Sequence, residues 1–181
     1  MSHNPSLVGK FAGFVGAVAA FALVAGTVLP ARAAGPYSLD REVKTVRGWT
    51  IAVNKQRKGC LAFGSFKSGT AVELGYDTRK DAGFLVFANE DWSFISDGEN
   101  YDVKLVFNGN NRWNARARGV ELGDLYALAF EGVKEAFIID FAAYSSVRLE
   151  VEGQHLDGFS LAGTMDAVKA MVDCSAYVSG Q

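Results

Sequence analysis

Three arginines recur in the run Arg112-Trp113-Asn114-Ala115-Arg116-Ala117-Arg118. In an extended chain residues two apart share a face, so Arg112, Asn114, Arg116 and Arg118 project together. Guanidinium forks held on one face can pair bidentately with carboxylates or phosphates, and an acidic polysaccharide would present such groups in series. The competing role is an ordinary solvated strand face whose charge is balanced by Asp102 and acids elsewhere. Trp92, between Asn89-Glu90-Asp91 and Ser93, is the aromatic candidate for a stacking surface that takes a sugar or peptide. Trp49 and Trp113 stand in phase with aliphatic neighbours and are expected to pack in the core.

Other reactive side chains lack the company that catalysis needs. His155 has Asp157 two residues on and Asp140 elsewhere, but no nucleophile motif such as Gly-x-Ser-x-Gly accompanies them. It reads as a surface residue in a turn. Glu90 with Asp91 and Asp97 with Glu99 could bind calcium or flank a glycosidic bond, yet neither pair stands in an ordered ligand pattern, so solvated loop acids are expected. Lys55, Arg57 and Lys58 in one turn, and Arg79 and Lys80 in another, read as ordinary loop charges. Cys60 and Cys174 are the only thiols, and without Cys-x-x-Cys or a histidine cluster they suggest neither redox chemistry nor a metal. No catalytic residue is assigned, and neither cofactor nor metal is expected.

The elements that must position these residues are strands first and helices late. Trp49, Ile51 and Val53 alternate with smaller or polar residues, Cys60 to Phe66 follows a polar turn, and Val72, Leu74 and Tyr76 alternate again. Phe84 to Ala88 is continuously apolar, which suits a strand buried on both faces. Residues 92–96 extend or follow it. Val103, Leu105 and Phe107 oppose Trp113, Ala115 and Ala117 across Asn108-Gly109-Asn110. A three-residue loop sets Leu105 against Trp113 and Val103 against Ala115, keeping the apolar faces together, whereas a two-residue loop mixes them. The same register places Asp102 opposite Arg116 and Lys104 opposite Asn114.

Beyond Gly123, residues 125–130 suit a strand, and Val133, Phe137, Phe141 and Tyr144 recur at helical spacing. Val147, Leu149 and Val151 form a half-buried strand, Gly153 to Gly158 a turn, and Phe159 and Leu161 a short return. Thr164 is expected to cap a last helix whose Met165, Val168, Met171 and Val172 face inward and which closes at Cys174. Residues 175–181 then form a flexible tail. No repeat, low-complexity tract or Pro-rich linker divides the chain.

The chain has 181 residues, 49% apolar and 21% charged, which excludes a disordered, collagen-like or disulfide-dense protein. Residues 1–33 read as a secretory signal: Lys10 precedes an apolar run from Phe11 to Leu29, and Ala31-Arg32-Ala33 offers cleavage before Ala34. The alternative is an uncleaved anchor, the one way in which a membrane is expected to be contacted. Of the 18 basic residues, this segment holds Lys10 and Arg32, leaving 16 against 20 acids, a net −4 that disfavours nucleic acid as a partner. In an oxidising compartment Cys60 and Cys174 are expected to form one disulfide. Residues 34–174 then form a single β-rich α+β domain, an antiparallel sandwich or curled sheet with one or two late helices packed on it.

Gly48-Trp49-Thr50-Ile51, Gly59-Cys60-Leu61 and the closing stretch Phe159 to Thr164 with Ala167, Ala170 and Cys174 resemble small exported bacterial envelope proteins of unknown function. In outline they are similar to invasion-associated envelope proteins. The resemblance implies a periplasmic, disulfide-closed, β-rich domain and transfers no catalytic residue. The expectation is a periplasmic or secreted, non-enzymatic binding or accessory protein for a protein or cell-envelope component. The alternatives are an inhibitor of an exported protease, presenting residues 77–83, and a hydrolase using the loop acids.

Overall fold

The computed structural model describes residues 37–180; the expected leader, residues 1–33, and the final residue lie outside them. The chain forms β1 (Arg41–Val46), β2 (Trp49–Asn54), β3 (Gly59–Ser65), β4 (Ala71–Asp77), β5 (Ala82–Asn89), β6 (Asn100–Phe107), β7 (Asn111–Leu122), β8 (Leu125–Val133), α1 (Glu135–Ala143), β9 (Ser146–Val151), β10 (Gln154–Ser160) and α2 (Thr164–Ser179). All ten strands join one antiparallel sheet in the order β1-β2-β3-β4-β5-β8-β7-β6-β9-β10. The fold is therefore β-rich α+β, with its strands in a single hydrogen-bonded sheet.

Alternation decides the two faces. In β5, Leu85 and Phe87 join the main core with Leu74, Leu105, Leu149 and residues of both helices, while Phe84, Val86 and Ala88 join a second cluster with Leu61, Ala127 and Ala129. This strand is buried on both faces, as its continuous apolar run requires. Strands β4 and β10 lie six places apart, about 29 Å in a flat sheet. Yet Phe159 of β10 stacks on Phe66 of the β3–β4 turn at 4.2 Å. Asp157 accepts hydrogen bonds from Ser68, at 2.7 Å, and from Thr70 of that turn. The sheet must curl to make these contacts, and its inner face encloses the main core.

The β6–β7 hairpin has the three-residue loop and register that its pattern demands: Leu105 opposes Trp113, Val103 opposes Ala115, and Asp102 opposes Arg116. Elsewhere local expectation and fold diverge. Strand β1 carries no apolar alternation and is exposed almost throughout; its pairing with β2 creates it. Residues 92–96 form turns rather than a strand, with the Ile95 amide donating to the Trp92 carbonyl at 2.9 Å. The β9–β10 connection turns at Glu152 and Gly153, so residues 154–158 belong to β10. Gly163, at φ +87°, occupies the position before α2, and the Thr164 hydroxyl donates back to the Leu161 carbonyl at 2.7 Å instead of capping.

Helix α2 runs on to Ser179, past the expected end at Cys174, because its last turns are anchored. Cys174 is bonded to Cys60, and the Cys60 amide donates to Ser175 Oγ at 2.9 Å. Val178 packs against the core. Val172, expected inside, is exposed, since it follows Met171 by one position and so turns away from the core-facing stripe. No described helix is long and apolar enough to cross a membrane.

The loop after β5 is seated closely on β7. A Cβ at Gly119 would lie 2.2 Å from the Ser96 carbonyl oxygen and 3.0 Å from Ile95. Gly119→Ala must lift residues 95–98 off the strand, and it is expected to cost about 1–3 kcal/mol by urea unfolding. Unchanged stability would show that this loop is not pressed against β7.

Candidate binding face

Strand β7 presents Arg112, Asn114, Arg116 and Arg118 on the outer face of the sheet, and all four are exposed. The register that puts Trp113 and Ala117 against the core turns these four away from it. Beside them β6 contributes Asp102 and Lys104, and β9 contributes Arg148 and Glu150. Arg116 Nε lies 3.3 Å from Asp102 Oδ1 in an open pair. Lys104 Nζ lies 2.5 Å from Glu150 Oε2, and Arg148 lies 2.9 Å from Oε1 of the same carboxylate. The Lys104 hydrogen bond, joined by that from Arg148, holds the Glu150 carboxyl below the usual carboxylate range against a smaller opposing effect of desolvation. Glu152, at the end of β9, accepts a hydrogen bond from the Asp102 amide at 2.9 Å.

Five cations, Arg112, Arg116, Arg118, Lys104 and Arg148, thus stand with three acids, Asp102, Glu150 and Glu152. Among the described residues no ion pair engages Arg112 or Arg118. Over β6 and β7 lies a shallow cavity of about 480 Å3, lined by Asp102, Lys104, Asn114 and Gly153. Hydrogen-bonded strands on both sides of β6 hold these side chains at fixed spacing. The arrangement suits a polyanion or a surface bearing several carboxylates or phosphates, each met by a guanidinium.

The aromatic candidate changes identity. Trp92 is 4% exposed and belongs to the main core, so the expectation that it offers a stacking surface is corrected. The turn at residues 92–95 buries Trp92 and Ile95 and leaves Phe94 52% exposed, edge-on to Tyr101 at 6.4 Å. Tyr101 holds this loop by accepting from the Ser96 amide and donating to the Phe94 carbonyl. A Cβ at Gly98 would lie 3.6 Å from the Arg118 guanidinium, which places Arg118 beside the same loop. Trp49 is core as expected, and Trp113 is half-buried, stacked on Phe137 at 4.0 Å.

The turn charges divide. Lys55, Lys58 and Lys80 are exposed, but Arg57 is only 2% exposed. Its guanidinium reaches Glu131 through bonds of 2.7 and 3.1 Å, approaches Asp77 at 3.4 Å, and lies 3.9 Å from the centre of the Phe84 ring. The Tyr37 hydroxyl donates to Glu131 at 2.8 Å, and burial followed by this bond pushes the phenol well above its ordinary value. Desolvation is the largest single effect on both Asp77 and Glu131 and would raise them. Hydrogen bonds and charges from Arg79 and Arg57 on Asp77, and from Arg57, Tyr37 and Lys80 on Glu131, outweigh it, so both carboxyls are held low. Arg79 folds back on Asp77 at 3.0 Å, which ties down the short β4–β5 turn considered as an inhibitory loop. This network joins Tyr37, the β2–β3 turn and the ends of β4 and β8.

His155 is exposed on β10, and Asp157 is engaged by Ser68 and Thr70. Glu90, Asp91, Asp97 and Glu99 are exposed loop acids. Among the described residues no three His, Cys, Asp or Glu side chains converge as a metal site requires. Compared with models of protein families, with curated proteins and with solved structures, the chain matches none.

Proposed function

We propose that the chain is an exported, non-enzymatic binding or accessory protein that takes an anionic protein or polymer of the cell envelope on the outer face of β7, β6 and β9. The observation that carries this reading is the exposure of Arg112 and Arg118, without acidic partners among the described residues, on the strand face that also holds Arg116. Cations outnumber acids there although the whole chain is net negative, so an anionic partner would be drawn to this face. The Cys60–Cys174 disulfide is compatible with an oxidising compartment. Kinship with small exported envelope proteins belongs to the same proposal.

Binding would replace water around the guanidinium groups with bidentate contacts to the partner's carboxylates or phosphates, a geometry that lysine does not reproduce. The strand backbone sets the spacing in advance, so little ordering opposes the contact. Being exposed, the interaction must weaken with salt. Capture of envelope components, identified by mass spectrometry, tests the reading. Substituting Arg112→Ala, Arg116→Ala and Arg118→Ala together is expected to weaken capture by about 100-fold and to flatten its salt dependence. Capture that survives the triple substitution unchanged removes this face from the function.

A further inference from the structure

Helices α1 and α2 leave between them a cavity of about 570 Å3 lined by Ile138 and Ile139 of α1 and by Met165, Val168, Met171 and Val172 of α2. Ile139 is 49% exposed and Val172 is 54% exposed, so the groove opens to solvent with large apolar side chains at its mouth. In α2, Ala167, Val168, Ala170 and Met171 are buried in the core. Along the groove run Met165, which packs partly against that core, and the exposed Val172 and Ala176. Helix α1 packs beside α2 but leaves Val172 and Ala176 exposed, an apolar face open to a further neighbour.

Charges beside that face identify the neighbour. Lys169 and Asp173 both line the groove and are exposed, and no ion pair joins either to another described residue. Lysine four residues before an acid is the weaker orientation of a helical pair, so the two do little for their own helix. An antiparallel copy of α2 reverses the order. A two-fold axis passing beside α2, level with the midpoint between Ala170 and Met171, brings Lys169 within about one residue rise, 1.5 Å along the helix, of the second copy's Asp173. The same operation brings Met165 level with the second copy's Ala176. Apolar face meets apolar face, and each lysine meets an acid twice over, as an isologous contact requires.

We propose that this groove receives α2 of a second copy of the chain, giving a two-fold dimer in which Lys169 and Asp173 pair reciprocally. The contact lies on the helical side of the molecule, away from the outer face of β7, and it does not depend on the proposed function.

Light scattering coupled to size exclusion, run on the full chain over a range of concentrations, tests the dimer. The unaltered chain is expected at twice its monomer mass. Lys169→Asp sets acid against acid, Asp173→Lys sets base against base, and each is expected to raise the dissociation constant about tenfold or more. Combining the two restores opposite charges and the dimer, which separates lost pairing from lost folding. Val172→Glu is expected to give monomer. A chain that is monomeric at every concentration overturns the proposal, including when an apolar peptide or lipid vesicles then fill the groove. A dimer indifferent to the single charge reversals, or one that the double reversal does not restore, also overturns it.

Discussion

Replacing Arg57 by methionine lowers the free energy of unfolding by about 1.5–3 kcal/mol, the loss expected when charge-assisted hydrogen bonds are removed while Asp77 keeps Arg79 and Glu131 keeps Tyr37. The aliphatic side chain still fills space over Phe84, but Asp77, itself buried, loses a cationic neighbour, and Glu131 loses both of its guanidinium bonds. Lysine at this position keeps the charge and loses the fork that reaches Glu131 through two nitrogens, so Arg57→Lys falls between the two. The same sites set the acid limb. Asp77 and Glu131 are held below their ordinary range in the fold, so the unfolded chain binds more protons as the pH falls through that range. Their contribution is fully present above the unfolded values, about pH 4, and is lost as the pH drops through the lower folded values. Urea unfolding from pH 7 downward measures both effects. Arg57→Met should start less stable and show a shallower acid loss. A variant that matches the parent at pH 7 would mean that the network holds nothing together.

Removing the disulfide has the second large effect. Cys60 and Cys174 are 114 residues apart, and in the chain-entropy model closing so long a loop removes nearly 5 kcal/mol of unfolded-state freedom. The Cys60→Ala and Cys174→Ala double variant is therefore expected to lose about 3–5 kcal/mol against the oxidised parent. The loss also has a place in the structure. The bond fastens the far end of α2 to β3, alongside the hydrogen bond from the Cys60 amide to Ser175. Amide exchange should therefore accelerate first over residues 174–179, while β5 and β8, each paired on both sides, stay protected. Equal stability of variant and parent, or loosening that begins in the central strands, would remove the bond from this role.

The hairpin of β6 and β7 shows what local pattern decides. Two alternating runs and a loop of Asn-Gly-Asn type permit one register that keeps Leu105 with Trp113, and that register aims Arg112, Arg116 and Arg118 outward. Thus the candidate face was legible from residues 103–118 alone. Two thiols without other partners likewise made the disulfide legible.

Arg57 was not legible in this way. In Lys55-Gln56-Arg57-Lys58 it has the neighbours of a solvated turn, and its partner Glu131 stands 74 residues away. Trp92 and Phe94 would share a face in a strand, so only the turn that separates them decides which is core and which is surface. Strand β1 exists because β2 offers an edge, and the last turns of α2 persist because Cys60 holds them.

Amino-acid order determined the faces of the strands, the hairpin register and the cysteine partners, because period, turn chemistry and the number of thiols act within short stretches or by elimination. Strand order, the curl that brings Asp157 to Thr70, the burial of Arg57 and the groove between the helices were decided by tertiary structure. Those contacts join residues far apart in the chain, and their energies exist only once the sheet has closed around its core.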